Sequence, residues 1–189
     1  MIDEIIQLEW EQFDKVQNVG GRANCQDDFK TFYIMRYSQF ALWSAATLAS
    51  YKQDLEEANA IGRNLITEKY AHMMASTAPE EYAQIKDRLP IPDEKTQAII
   101  EAVVAIEVGW MEDFYARHPE LKDKARYIHQ SEDDLEHTSS ETYLRGELMT
   151  YSGTTLASYA RDVIDYYHRG ENMIEKTVEN ELKAYGYQL

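Results

Sequence analysis

Residues 44–66 read SAATLASYKQDLEEANAIGRNLI, and residues 152–174, which lie 108 positions further on, read SGTTLASYARDVIDYYHRGENMI. Ten of the 23 aligned positions are identical: Ser44/Ser152, the run Thr47–Tyr51 with Thr155–Tyr159, Asp54/Asp162, Gly62/Gly170, Asn64/Asn172 and Ile66/Ile174. Both stretches carry helical periodicity up to a glycine, the residue that most readily takes the left-handed turn at a helix end. A unit used twice is therefore expected, and the unit is helical.

The likeness extends upstream with small shifts. Cys25-Gln26-Asp27-Asp28-Phe29 stands opposite Ser131-Glu132-Asp133-Asp134-Leu135, and Trp10 opposite Trp110. The expected fold class is all-α: an internally duplicated helical bundle of two three-helix halves about a pseudo-two-fold axis, with long second helices at the centre. The chain reads as a single domain over 1–189, with repeat 1 about 2–76, a connecting helix and loop about 77–93, and repeat 2 about 94–187.

Individual elements follow from apolar spacing and from breakers. Ile5, Leu8, Trp10, Phe13 and Val16 predict a helix over 2–17, ended by Val19-Gly20-Gly21. Asp27 or Asp28 caps a helix running to about Ala60, Gly62 breaks it, and another helix spans about 64–76. Pro79 opens a short helix over 80–88, Asp93 caps one over about 94–117, and His118-Pro119 stops it. Residues 119–137 read as a long ordered loop with a helical turn or two, before helices over about 140–168 and 171–185 separated by Gly170.

Charge narrows the partners. Thirty-four acids against 19 bases in 189 residues leave a formal charge of −15, a field that repels nucleic acid and anionic lipid. The single cysteine cannot form an internal disulfide. The start, Met-Ile-Asp-Glu-Ile-Ile, is acidic where a secretion signal would be basic, so a cytoplasmic location is expected.

Residues 29–51 are apolar on nearly every side, which predicts a buried helix and makes its polar residues conspicuous. Asp28, Arg36 and Gln39 fall within one stripe, and the partner helix carries Ser140, Tyr143, Glu147 and Tyr151 near the equivalent stripe. A buried guanidinium needs a carboxylate or a ligand anion. Two readings stay open: an internal bridge from Arg36 to Glu147 or Asp28, or a pocket that takes a small polar or anionic ligand between the central helices. In the second, Arg36 and Arg145 supply charge, Gln39 and Tyr143 orient the ligand, and Glu147 is a bridge or a general base, with Asp28 the other catalytic candidate. Arg22 and the following helix start offer a possible anion site beside Gln26 and Asp28. Glu68 and His72, four residues apart, suggest a metal-dependent hydrolase acting through Mg²⁺ or Mn²⁺, with Glu107, Glu112, Asp133, Asp134 and Glu147 as further oxygen ligands. No zinc cysteine cluster or phosphate-binding Gly-Lys loop is present, and a scaffold without a small-molecule site is the third alternative.

The runs GGRANCQDDF, MRYSQFALW, GRNLITEKYAHMMASTAPEEY and SSETYLRGELMTYS resemble those of a bacterial family, domain of unknown function 4125. The likeness covers essentially the whole chain. It implies no assigned reaction and no cofactor, but it implies a nucleotidyltransferase-like protein partner for a helical ligand-binding module. The residues it singles out are Arg22, Cys25, Gln26, Asp27, Asp28, Arg36, Gln39, Glu68, Lys69, Tyr70, Glu141, Tyr143, Arg145 and Glu147. Separately, Arg161 and His168 resemble the Arg…His signature of helical nuclease-like domains, a reading that the charge opposes.

Overall fold

Side-chain caps divide this chain into helices. A computed structural model describes residues 1–17, 21–122 and 125–189, and within them the protein is all-α. In order come α1 (Ile2–Asp14), a 3-10 turn (Asn24–Asp27), α2 (Phe29–Phe40), α3 (Ala45–Ala60) and α4 (Leu65–Thr77). The short α5 (Pro79–Ile85) leads to α6 (Glu94–Arg117). Then follow α7 (Pro119–Lys122), a third 3-10 turn (Gln130–Glu132; the second is Lys86–Arg88, after α5), α8 (Ser140–Leu148), α9 (Gly153–His168) and α10 (Met173–Ala184). Among the described residues no helix is long and apolar enough to cross a membrane.

The two long central helices expected at 28–60 and 140–168 are each broken in two, so the expected three-helix units are not observed: residues 2–76 carry α1–α4, and 94–187 carry α6–α10. Neither glycine nor proline causes the breaks. Ser44 and Ser152 adopt extended backbone and accept the N–H of Thr47 and Thr155, both at 3.2 Å, so each starts a new helix. Asp28, not Asp27, caps α2 by accepting the Thr31 N–H at 3.0 Å. The first helix stops at Asp14, short of the expected end, and Val19 and Gly20 lie outside the described residues.

α2 is not buried all round. Phe29, Met35 and Tyr37 are exposed while Arg36, Ser38 and Phe40 face inward. The core is formed instead by Ile5, Ile6, Leu55, Val103, Val104, Leu156 and Val163, with Phe40 and Leu148 closing the ends of α2 and α8.

The halves hold each other through contacts that recur at the repeat offset. The Ser44 N–H donates to Asp162 at 2.9 Å, and the Ser152 N–H donates to Asp54 at 3.0 Å. Thr47 meets Ser158 at 2.8 Å, and Ser50 meets Thr155 at 2.6 Å. Within the halves, Gly62 and Gly170 take φ of +74° and +67°, and Asn64 and Asn172 then cap α4 and α10. These two asparagines donate to the carbonyl oxygens of Gln12 and Trp110, at 2.8 and 2.9 Å. Gln12, rather than Trp10, is therefore the counterpart of Trp110. The register of the first helices is thereby set: Ile5-Ile6-x-x-Glu9 on α1 matches Val103-Val104-x-x-Glu107 on α6. Paired contacts of this kind are what a duplication would leave.

Candidate functional site

A cavity of about 390 Å³ opens among α2, α4, α6, α8 and α10, with the inner ends of α1 and α9 beneath it. Its walls are mainly apolar and aromatic, including Phe13, Phe32, Met111, Leu144, Ile174 and Val178.

Its polar side is a network centred on Arg36. One edge of the guanidinium grips Glu9, with Nε donating to Oε2 at 2.7 Å and Nη2 to Oε1 at 2.6 Å. Nη2 also donates to Glu147 Oε1 at 2.9 Å, and Nη1 to Gln39 Oε1 at 2.6 Å. Glu147 in turn accepts from Lys69 Nζ at 2.6 Å and from the Tyr151 hydroxyl at 3.0 Å. Lys69 sits 3.7 Å from the centroid of the Tyr143 ring, and Tyr51 donates to Glu9 at 2.6 Å. Glu9 is fully enclosed, and Arg36 and Lys69 are nearly so. Burial favours the neutral form of Glu147, but Arg36 and Lys69 outweigh it and hold the carboxyl well below its usual range. Burial likewise opposes charge on Arg36 and Lys69, and their carboxylate partners outweigh it.

Close approach of α4 and α8 makes the Lys69–Glu147 contact possible. Gly146 lies at the crossing: a Cβ there would stand 2.8 Å from Met73 Cγ and 3.0 Å from the Lys69 carbonyl oxygen.

The second half repeats the arrangement without its cation. Tyr159, the counterpart of Tyr51, donates to Glu107 at 2.7 Å. The position equivalent to Arg36 is Leu144, so Glu107 has no guanidinium. Burial, opposed by the Tyr159 hydrogen bond and reinforced by Glu147, pushes the Glu107 carboxyl up to about 7. Burial alone pushes Glu181, on α10, to about 7 as well.

Of the residues singled out from sequence, Cys25, Asp28, Arg36, Gln39, Lys69, Tyr70, Ser140, Tyr143, Glu147 and Tyr151 line the cavity. Arg22, Gln26, Asp27, Glu68, Glu141 and Arg145 do not. Arg22 is exposed and bonded to Asp14, Asp27 and the Gln26 carbonyl. Gln26 is buried, donating to the carbonyls of Phe13 and Val16, which ties the 3-10 turn to the end of α1. Glu68 pairs with Arg63, and Arg145 with Glu101 and Glu141. The arginines assigned to a ligand anion are thus engaged by the protein's own carboxylates. Neither candidate base suits that role. Glu147 is held ionised by two cations, and Asp28 is held down by the backbone N–H of Thr31 that it accepts. Among the described residues no three His, Cys, Asp or Glu side chains are grouped to hold a metal.

Glu9, Tyr51 and Tyr159 were not singled out by sequence reasoning, and Glu107 was named only as an extra oxygen ligand for a metal. The signal that finds them is the shared spacing of two β-branched or aliphatic residues, two further positions, and a glutamate on the first helix of each half.

Neither a curated protein nor a solved structure matches this chain. One family model does, over residues 1–189, and its description is Protein of unknown function (DUF4125). With its whole length matched, the chain belongs to that family.

Proposed function

We propose that this protein is a small-molecule binding module, built from two halves related by duplication, whose ligand occupies the cavity between α2, α4, α6, α8 and α10. The observation that carries the reading is the combination of an apolar wall with buried charges kept in fixed positions. A volume of about 390 Å³ lies within the range of small-molecule sites. A core that needed only stability would close over such a space, because unfilled volume forfeits packing contacts. The network around Arg36 is already saturated, so its contribution is to fix the geometry of the polar side rather than to capture an anion. A nucleotidyltransferase-like neighbour, implied by the family resemblance, belongs to the same proposal as the context in which the ligand is used.

A thermal-shift screen of a small-molecule library against the wild-type protein and Val178→Trp tests this. Val178 lies on the α10 wall, where an indole would fill the cavity. Compounds that bind there raise the wild-type melting temperature and leave the variant unchanged. A screen in which every stabilising compound acts equally on both proteins, or in which none stabilises the wild type, overturns the reading.

A further inference from the structure

The charges that face the cavity are unequally satisfied. Its cations are Arg36, Lys69 and Arg126; its acids are Glu9, Asp28, Glu107, Glu147 and Glu181. Arg36 and Lys69 are taken by Glu9 and Glu147. Arg126 is exposed, with its guanidinium 5.0 Å from the Tyr143 ring centroid. Asp28 caps α2.

Glu107 is left over. It is 4% exposed, and one oxygen accepts the Tyr159 hydroxyl. The other oxygen has no donor among the described residues, yet it is not one of the sealed polar atoms, so it is open to the cavity. No cationic side chain among the described residues is paired with it. Glu181, on the neighbouring α10, also lines the cavity without a cation.

Tyr159, which bonds Glu107, belongs to a cluster of three aromatic residues that line the same space. Trp43 and Tyr159 have centroids 5.0 Å apart, and Tyr151 lies 6.1 Å from each of them. An enclosed carboxylate beside several aromatic faces is the recognition chemistry of an organic cation. The rings offer their negative faces and the acid a full charge, while the apolar wall excludes competing water.

We propose that the cavity takes an organic ammonium ion carried on an apolar body, with its nitrogen between the Glu107 carboxylate and the rings of Trp43, Tyr151 and Tyr159. The inference rests on the cavity-binding reading above and adds the charge of the ligand.

Titration calorimetry at pH 8 with n-hexylammonium, 1-hexanol and hexanoate separates the two. Wild type is expected to bind hexylammonium about tenfold more tightly than hexanol and to show no hexanoate binding. Glu107→Gln is expected to remove the preference for ammonium while hexanol affinity stays within about twofold. Equal binding of ammonium and alcohol by wild type, preference for hexanoate, or an E107Q variant that keeps the ammonium preference overturns the assignment. Should E107Q fail to fold, the wild-type preference decides alone. Hexanol binding without an ammonium preference sinks only the ligand charge. Absence of binding by all three probes sinks both the charge and the cavity reading.

Discussion

Arg36 and Glu9 meet edge to edge, the guanidinium Nε and Nη2 donating to the two carboxylate oxygens at 2.7 and 2.6 Å across the α1–α2 contact. Both groups are out of water; among the described residues Arg36 is the one cation paired with Glu9, whereas Glu147 also has Lys69. Removing the arginine therefore strands Glu9 and leaves Glu147 to Lys69. Arg36→Met is expected to cost about 3–5 kcal/mol in urea unfolding, far more than its own packing would explain. Arg36→Lys should recover only part of this, because an ammonium cannot make the two-pronged contact.

Glu107 sets an unusual pH dependence. Its folded-state carboxyl, near 7, holds a proton more tightly than the unfolded chain, near 4.5. The stability gained is complete below the unfolded value and is lost as pH rises through the folded one. Glu181 works in the same direction. Thermal unfolding is expected to show a melting temperature that falls between about pH 5 and pH 8, and Glu107→Gln should flatten that fall.

Gly146 is expected to resist replacement. Alanine is normally the better helix residue, worth about 1 kcal/mol. Here its methyl would press on Met73 and on the Lys69 carbonyl, and overpacking of this kind costs about 1–3 kcal/mol. Gly146→Ala should destabilise the protein in chemical denaturation; a gain in stability would show that α4 and α8 separate freely.

His72 carries the opposite expectation. Both ring nitrogens are buried without a hydrogen-bond partner, and burial pushes its pKa down, so the ring is neutral. His72→Leu removes two unsatisfied polar atoms and should raise stability by about 1–2 kcal/mol. Unchanged or lower stability would point to a partner for the ring.

The helical class and most helix ends were legible because periodicity, glycines and capping residues act locally. Arg36 and Gln39 stood out in sequence because polar groups on an apolar helix must be accounted for. Met35 and Tyr37, by contrast, face outward although their chemistry suggested burial, since the helix turns its polar stripe toward Glu9 and Glu147. The breaks before α3 and α9 were missed because apolar spacing continues through them. Only the Ser-x-x-Thr caps at 44–47 and 152–155 mark where the backbone turns. Glu9 escaped notice, and Glu107 was read only as a metal ligand, for a different reason. In a chain of charge −15 an acid between apolar residues reads as part of a solvated face, and only the partners folded onto it show otherwise.

The exchanged caps, Asp162 on Ser44 and Asp54 on Ser152, have a consequence for how the polypeptide holds together. The Ser44 and Ser152 hydroxyls start α3 and α9 locally, but the backbone N–H of each serine is accepted by an acid on the other helix. Severed in the connector between α5 and α6, the chain would yield fragments in which each serine N–H loses its acceptor. Each piece would recover its full set of helix-start contacts only by reassociating with the other.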